Sequence, residues 1–121
     1  MFSIDEQKVM DRKVIEQLIS IGDQLNKERE ICFWFYFKSS KQRKNFKSYI
    51  VKNGFTYVDT NDDLKEEYPY GLVVSKLMSI GLHNMIFITD IYGNKALECD
   101  GYYDGWETPV VYKDDDRKDL S

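Results

Sequence analysis

Apolar residues along this chain recur at helical spacing in some stretches and run without a break in others, and the succession marks out an α+β order. Ser3 and Glu6 stand in the spacing of a capping box, in which hydroxyl and carboxylate each satisfy a free backbone N–H at a helix start. The helix so predicted runs to about Ser20, carries a stripe of Met10, Val14, Leu18 and Ile21, and stops at Gly22. Ile31-Cys32-Phe33-Trp34-Phe35-Tyr36-Phe37 follows, uncharged, too short for a buried helix and rich in β-formers. That composition predicts a central strand with both faces covered. Ser39 and Gln42 repeat the capping spacing, Phe46, Tyr49 and Ile50 form a second helical stripe, and Gly54 ends it. Phe55 to Asp59 alternates as a second strand, Asn61 to Glu67 reads as an acidic loop, and Tyr70 to Leu77 is a third strand after Pro69.

From Leu82 to Leu97 the pattern supports two assignments. Met85 to Tyr92 has strand propensity with Gly93-Asn94 as a hairpin turn, while Leu82, Ile86, Thr89, Gly93 and Ala96 trace a helical face. Tyr102 to Tyr112 is a last extended segment. The first helix needs a surface for its stripe, and the face of the central strand carrying Cys32, Trp34 and Tyr36 needs a cover, since a soluble monomer rarely leaves a large apolar patch wet. The expectation is that this helix lies across that face and that the protein is a monomer.

At 121 residues with 42 % hydrophobic and 15 % aromatic content, the chain supports one core. The expected organisation is a single domain over 1–112 and a charged, frayed tail over 113–121. Met1-Phe2-Ser3-Ile4 is followed at once by charged and polar residues, unlike a signal peptide, and no apolar run approaches bilayer length; a cytoplasmic location is expected. Cys32 and Cys99 are expected as reduced core thiols, and with His83 they are too few for a zinc site; no metal or cofactor is expected.

A net charge of −4 opposes general affinity for phosphate backbones. Locally, a basic block from Lys38 to Lys52 covers the outer face of the second helix, and its Lys41, Lys44 and Lys47 are candidate partner-binding residues. Trp34 and Tyr36 point to one side of their strand and could stack on RNA bases, but no lysine or arginine is interleaved with them, so burial is the favoured reading and a partner surface the functional one. Asp100, Asp104 and Glu107 lack an accompanying nucleophile, histidine or phosphate loop, which favours a structural role over catalysis. Asp104-Gly105 reads as a turn or bulge, with Trp106 plugging the core.

Tyr103-Asp104-Gly105-Trp106-Glu107 resembles the signature of the regulator of ribonuclease E activity B (RraB) family. Gly22-Asp23-Gln24-Leu25, Arg29, the strand ending Trp34, Tyr36 and Phe37, Pro69-Tyr70-Gly71-Leu72, and Asp11 with Leu18 fall in the family's order, so the resemblance extends to about Tyr112. Phe33 stands where the family favours histidine. The resemblance implies a ferredoxin-like α/β sandwich, βαββαβ, with an added N-terminal helix; it therefore implies a helix over 82–97 and a first strand between the third and fourth. It also implies a non-enzymatic, protein-binding regulator that inhibits a ribonuclease or its scaffold by occupying its surface. An immunity-type protein that neutralises a toxin enzyme would share this size, charge and lack of catalytic groups, and RNA binding through the sheet face is the third reading.

Overall fold

The structure, a computed structural model, describes residues 2–112, in the order α1 (Ile4–Ser20), β1 (Arg29–Phe37), α2 (Ser40–Lys52), β2 (Thr56–Asp62), β3 (Tyr70–Met78), α3 (Leu82–Glu98) and β4 (Gly101–Glu107). The tail expected to fray, 113–121, lies outside the described residues. The strands pair antiparallel in one sheet of order β2-β3-β1-β4. This is the ferredoxin-like sandwich with an extra N-terminal helix, and β1 is central as its uncharged run predicts.

Strict alternation along β1 splits its side chains between the two faces. Ile31, Phe33, Phe35 and Phe37 are fully buried in the core formed with α2 and α3, while Cys32, Trp34 and Tyr36 on the other face are only half-buried. The Phe35 ring centroid lies 4.6 Å from that of Phe46 on α2, and Phe33 meets Phe55 edge-on at 5.4 Å. Burying such a ring contributes about 1.5–3 kcal/mol, so this layer supplies much of the fold's stability.

Residues 82–98 are helical despite their strand propensity. β3 and β4 flank β1 on opposite sides and are both antiparallel to it, so they run parallel to each other and require a crossover that a hairpin cannot make. A helix of 17 residues spans that distance and lays Met85, Ile88, Tyr92 and Ala96 on the core. Gly93 permits α1 to cross closely, because a Cβ there would come 2.6 Å from Ile4 Cδ1.

The predicted capping box of α1 is present in both directions between Ser3 and Glu6. The predicted stripe is not the one that faces inward. Met10 and Ile21 are 40 % and 51 % exposed, whereas Gln7, Asp11, Ile15 and Leu18 are buried, with Val14 partly so. Polar residues are tolerated inside because each has a partner: Gln7 Nε2 donates to the Tyr103 carbonyl at 3.1 Å, and Asp11 accepts from the Thr89 hydroxyl at 2.5 Å and the Trp106 indole N–H at 2.9 Å. With that face inward, α1 packs on α3 and reaches β4 in the helical layer. It does not cover Cys32, Trp34 and Tyr36, contrary to expectation.

Two strand ends also differ from the sequence reading. β2 continues to Asp62, pairing Asn61 with Gly71 and Asp62 with Tyr70, because Arg43 of α2 binds the Asp62 carboxylate at 2.5 Å and the Gly71 carbonyl at 3.2 Å. β4 ends at Glu107, well short of Tyr112. Beyond it the chain is held by a buried ion pair: Arg29 donates through Nη2 and Nη1 to the two Asp23 oxygens at 2.9 and 3.2 Å, and also to Thr108 Oγ1 and the Pro109 carbonyl. Asp23 in turn accepts from the Val111 N–H at 2.9 Å. The aspartate after Gly22 and the arginine opening β1 thus clasp the segment after β4 to the start of the sheet.

Candidate functional site

The residues of the C-terminal motif, Tyr103 to Glu107, are divided between the two sides of β4. Tyr103 lies opposite Phe35 and is buried, and Trp106 lies opposite Phe33, half-buried against the core with its indole bound to Asp11; it is less enclosed than a core plug. Burial holds the Asp11 carboxyl above its ordinary value of 3.8, with the two hydrogen bonds opposing part of the rise. Between these residues the register against β1 shifts: Trp34 pairs with Gly105 and Phe35 with Tyr103, leaving Asp104 as the extra residue of a bulge. Gly105 takes φ +111°, a conformation that side-chain-bearing residues rarely adopt. The predicted bulge is therefore present, and it turns the Asp104 side chain toward the uncovered face.

That face is built from every strand. Trp34 sits between Gly105 and Val73, and Cys32 between Glu107 and Ser75. Burial, and then Glu107 and Glu30, raise the Cys32 thiol, so it is a half-buried inert thiol on the open face, not a core one. Tyr36 stacks on Tyr102 at 5.5 Å, and Tyr68, just before β3, meets Tyr102 edge-on at 4.9 Å. Burial first, and then the nearby Asp104 carboxylate, push both the Tyr36 and Tyr102 phenols upward, so they remain neutral.

These rings wall a cavity of about 450 Å³ with Asn61 and Pro69. Its remaining lining is acidic: Asp63, Glu66 and Glu67 from the loop after β2, and Asp104 from the bulge. Among the described residues none of these carboxylates forms an ion pair. The chain's own Lys38 approaches these rings, with its Nζ 5.3 Å from the centroid of Tyr68.

Lys41, Lys44 and Lys47 lie elsewhere. They project from α2, which packs on the Phe35 and Phe37 side of the sheet, and line a groove of about 530 Å³ with Tyr57 and Thr60. Lys47 Nζ is 3.8 Å from the Tyr57 ring centroid. Trp34 and Tyr36 therefore share a face with Asp104 and Gly105, and not with these lysines. Asp100, Asp104 and Glu107 are strung along a strand roughly 20 Å long at about 3.3 Å per residue, too dispersed to act together. Among the described residues no group of histidine, cysteine or carboxylate side chains is gathered as metal ligands, and no helix is long and apolar enough to cross a membrane.

Sequence reading passed over Tyr68, Tyr102 and the acidic loop as parts of one site. The signal for them was the run of aspartates and glutamates ending in Tyr68-Pro69-Tyr70, which reads as a solvated loop until β3 pairs with β1 and the Tyr68 ring meets Tyr102 on the far side of β1. A search of curated proteins returns no match to the chain. The family model described as regulator of ribonuclease activity B matches residues 8–108, a span that takes in α1 from Lys8 onward, the sheet, the acidic loop and the bulged β4. On that match the chain belongs to the RraB family, whose members regulate ribonuclease activity.

Proposed function

We propose that this chain is a non-catalytic regulator that binds a ribonuclease, or the scaffold carrying one, through the uncovered face of its sheet. The observation that carries the reading is that face itself: Cys32, Trp34, Tyr36 and Tyr102 stand half-buried on it, and no described helix covers them. Family membership supplies the class of partner. Contiguous aromatic surface of this kind marks an interaction site, since aromatic anchors with a polar rim dominate binding energy at protein interfaces. Stacking of RNA on the same rings is disfavoured by Asp63, Glu66, Glu67 and Asp104 around them, which repel phosphate.

The test is titration of the purified chain against the purified ribonuclease of its source, with binding and cleavage rate followed together. Binding that lowers cleavage and is weakened about tenfold or more by Trp34→Ala supports the reading, a loss typical of a central aromatic anchor. Binding to a co-encoded toxin, with none to the ribonuclease, would establish the immunity-type reading in its place.

A further inference from the structure

The open face is not uniformly apolar, and its polar part has one sign. Three tyrosine rings, Tyr36, Tyr68 and Tyr102, meet in one cavity, and Glu66, Glu67 and Asp104 stand at its wall without cationic partners among the described residues. At about 450 Å³ it lies within the range of sites that enclose a ligand group, about 300–1,000 Å³. A neutral phenol ring attracts a cation through its face, and a carboxylate beside it adds to that attraction without competing for the same surface. The chain already places a cation at this wall, since Lys38 reaches toward the Tyr68 ring.

From these observations we propose that the tyrosine-walled cavity receives arginine or lysine side chains of a basic protein segment laid across the open face of the sheet. The proposal rests on the reading of that face as a protein-binding surface and specifies the partner's chemistry. Trp34 supplies the apolar floor beside the cavity, so a basic segment interrupted by apolar residues fits the face better than a uniformly charged one. A guanidinium is the better fit of the two cations, because it stacks on aromatic planes and still donates to carboxylates at its edge. The basic groove of α2 is on the opposite layer and takes no part.

The probe is a tetra-arginine peptide titrated into the full chain, with amide and side-chain NMR shifts as the readout and tetra-lysine and tetra-glutamate in parallel. Saturable shifts centred on Tyr36, Tyr68 and Tyr102 are expected for arginine, smaller ones for lysine and none for glutamate. Glu66→Gln with Glu67→Gln should weaken tetra-arginine binding about tenfold, and high salt, which screens exposed charges, should act likewise. Tyr102→Leu should do the same while the spectrum keeps its native dispersion. Shifts that fall on α2, or affinity indifferent to these substitutions, would overturn the proposal, as would single-stranded RNA binding at the same tyrosines. If the ribonuclease binds the double glutamine variant as well as the wild type but loses affinity to Trp34→Ala, the regulator reading stands and the cationic cavity falls. Tetra-arginine binding at the tyrosines without any ribonuclease binding supports the cationic cavity and overturns the ribonuclease as its partner.

Discussion

Replacing Gly105 by alanine separates the backbone cost of the β4 bulge from any steric cost. At φ +111° the residue lies where a Cβ clashes with its own backbone, yet the nearest foreign atom to that Cβ would be Gln7 Oε1 at 3.9 Å, an ordinary contact. The surroundings therefore do not resist alanine, and only the local conformation does. Such a conformation costs about 1–3 kcal/mol, and the stiffer unfolded chain of the variant offsets about 0.4–1 kcal/mol of it. The net loss is centred near about 1 kcal/mol and reaches at most about 2.6 kcal/mol, and each kcal/mol is equivalent to a melting-temperature drop of about 4–8 °C. Far-UV circular dichroism with thermal and urea unfolding measures both quantities. Asparagine tolerates positive φ better than alanine, and valine, with its branched Cβ, tolerates it least. The expected stability order is therefore Gly, Asn, Ala, Val. Variants that melt with the wild type, or that fall out of this order, would refute the claim that the bulge is held at a conformational cost.

Three further outcomes follow from the geometry. Removing either member of the Asp23–Arg29 pair by alanine leaves a buried charge uncompensated and should cost about 3–5 kcal/mol, while the double replacement should cost clearly less than the two single losses combined in a urea double-mutant cycle. Because burial raises the Asp11 carboxyl above 3.8, the folded state takes up a proton before the unfolded chain does as pH falls; this group's contribution grows on acidification and is lost as pH rises through the folded value, and Asp11→Asn should flatten that slope in unfolding measured from about pH 7 to about pH 4. Trp34→Ala should cost about 1 kcal/mol or less, against about 3–5 kcal/mol for Phe35→Ala one residue along; comparable losses would mean that the face of Trp34 is covered after all.

Much of this molecule is legible along the chain because its signals are local. The Ser3–Glu6 box, the Ser39 cap with its hydrogen bond from the Gln42 N–H, and the uncharged run of β1 act within a few residues, and each appears where its spacing predicts. The Asp104-Gly105 bulge belongs with them, since an aspartate followed by a glycine is a local turn or bulge signal. The inward face of α1 could not be read in that way. Hydrophobicity points to Met10 and Ile21, but the buried positions are Gln7 and Asp11, whose partners Tyr103, Thr89 and Trp106 are remote in sequence. Likewise, residues 82–98 are helical because β3 and β4 must be joined across the sheet, a constraint set by strand order and not by the propensity of the segment. The site divides along the same line. Trp34, Tyr36 and Asp104 are recognisable from their neighbours, whereas their union with Tyr68, Tyr102 and the acidic loop, and their separation from Lys41, Lys44 and Lys47, follow from pleat and pairing. Tertiary structure made these choices because backbone hydrogen bonds and buried partners reward contacts between residues that no local pattern connects.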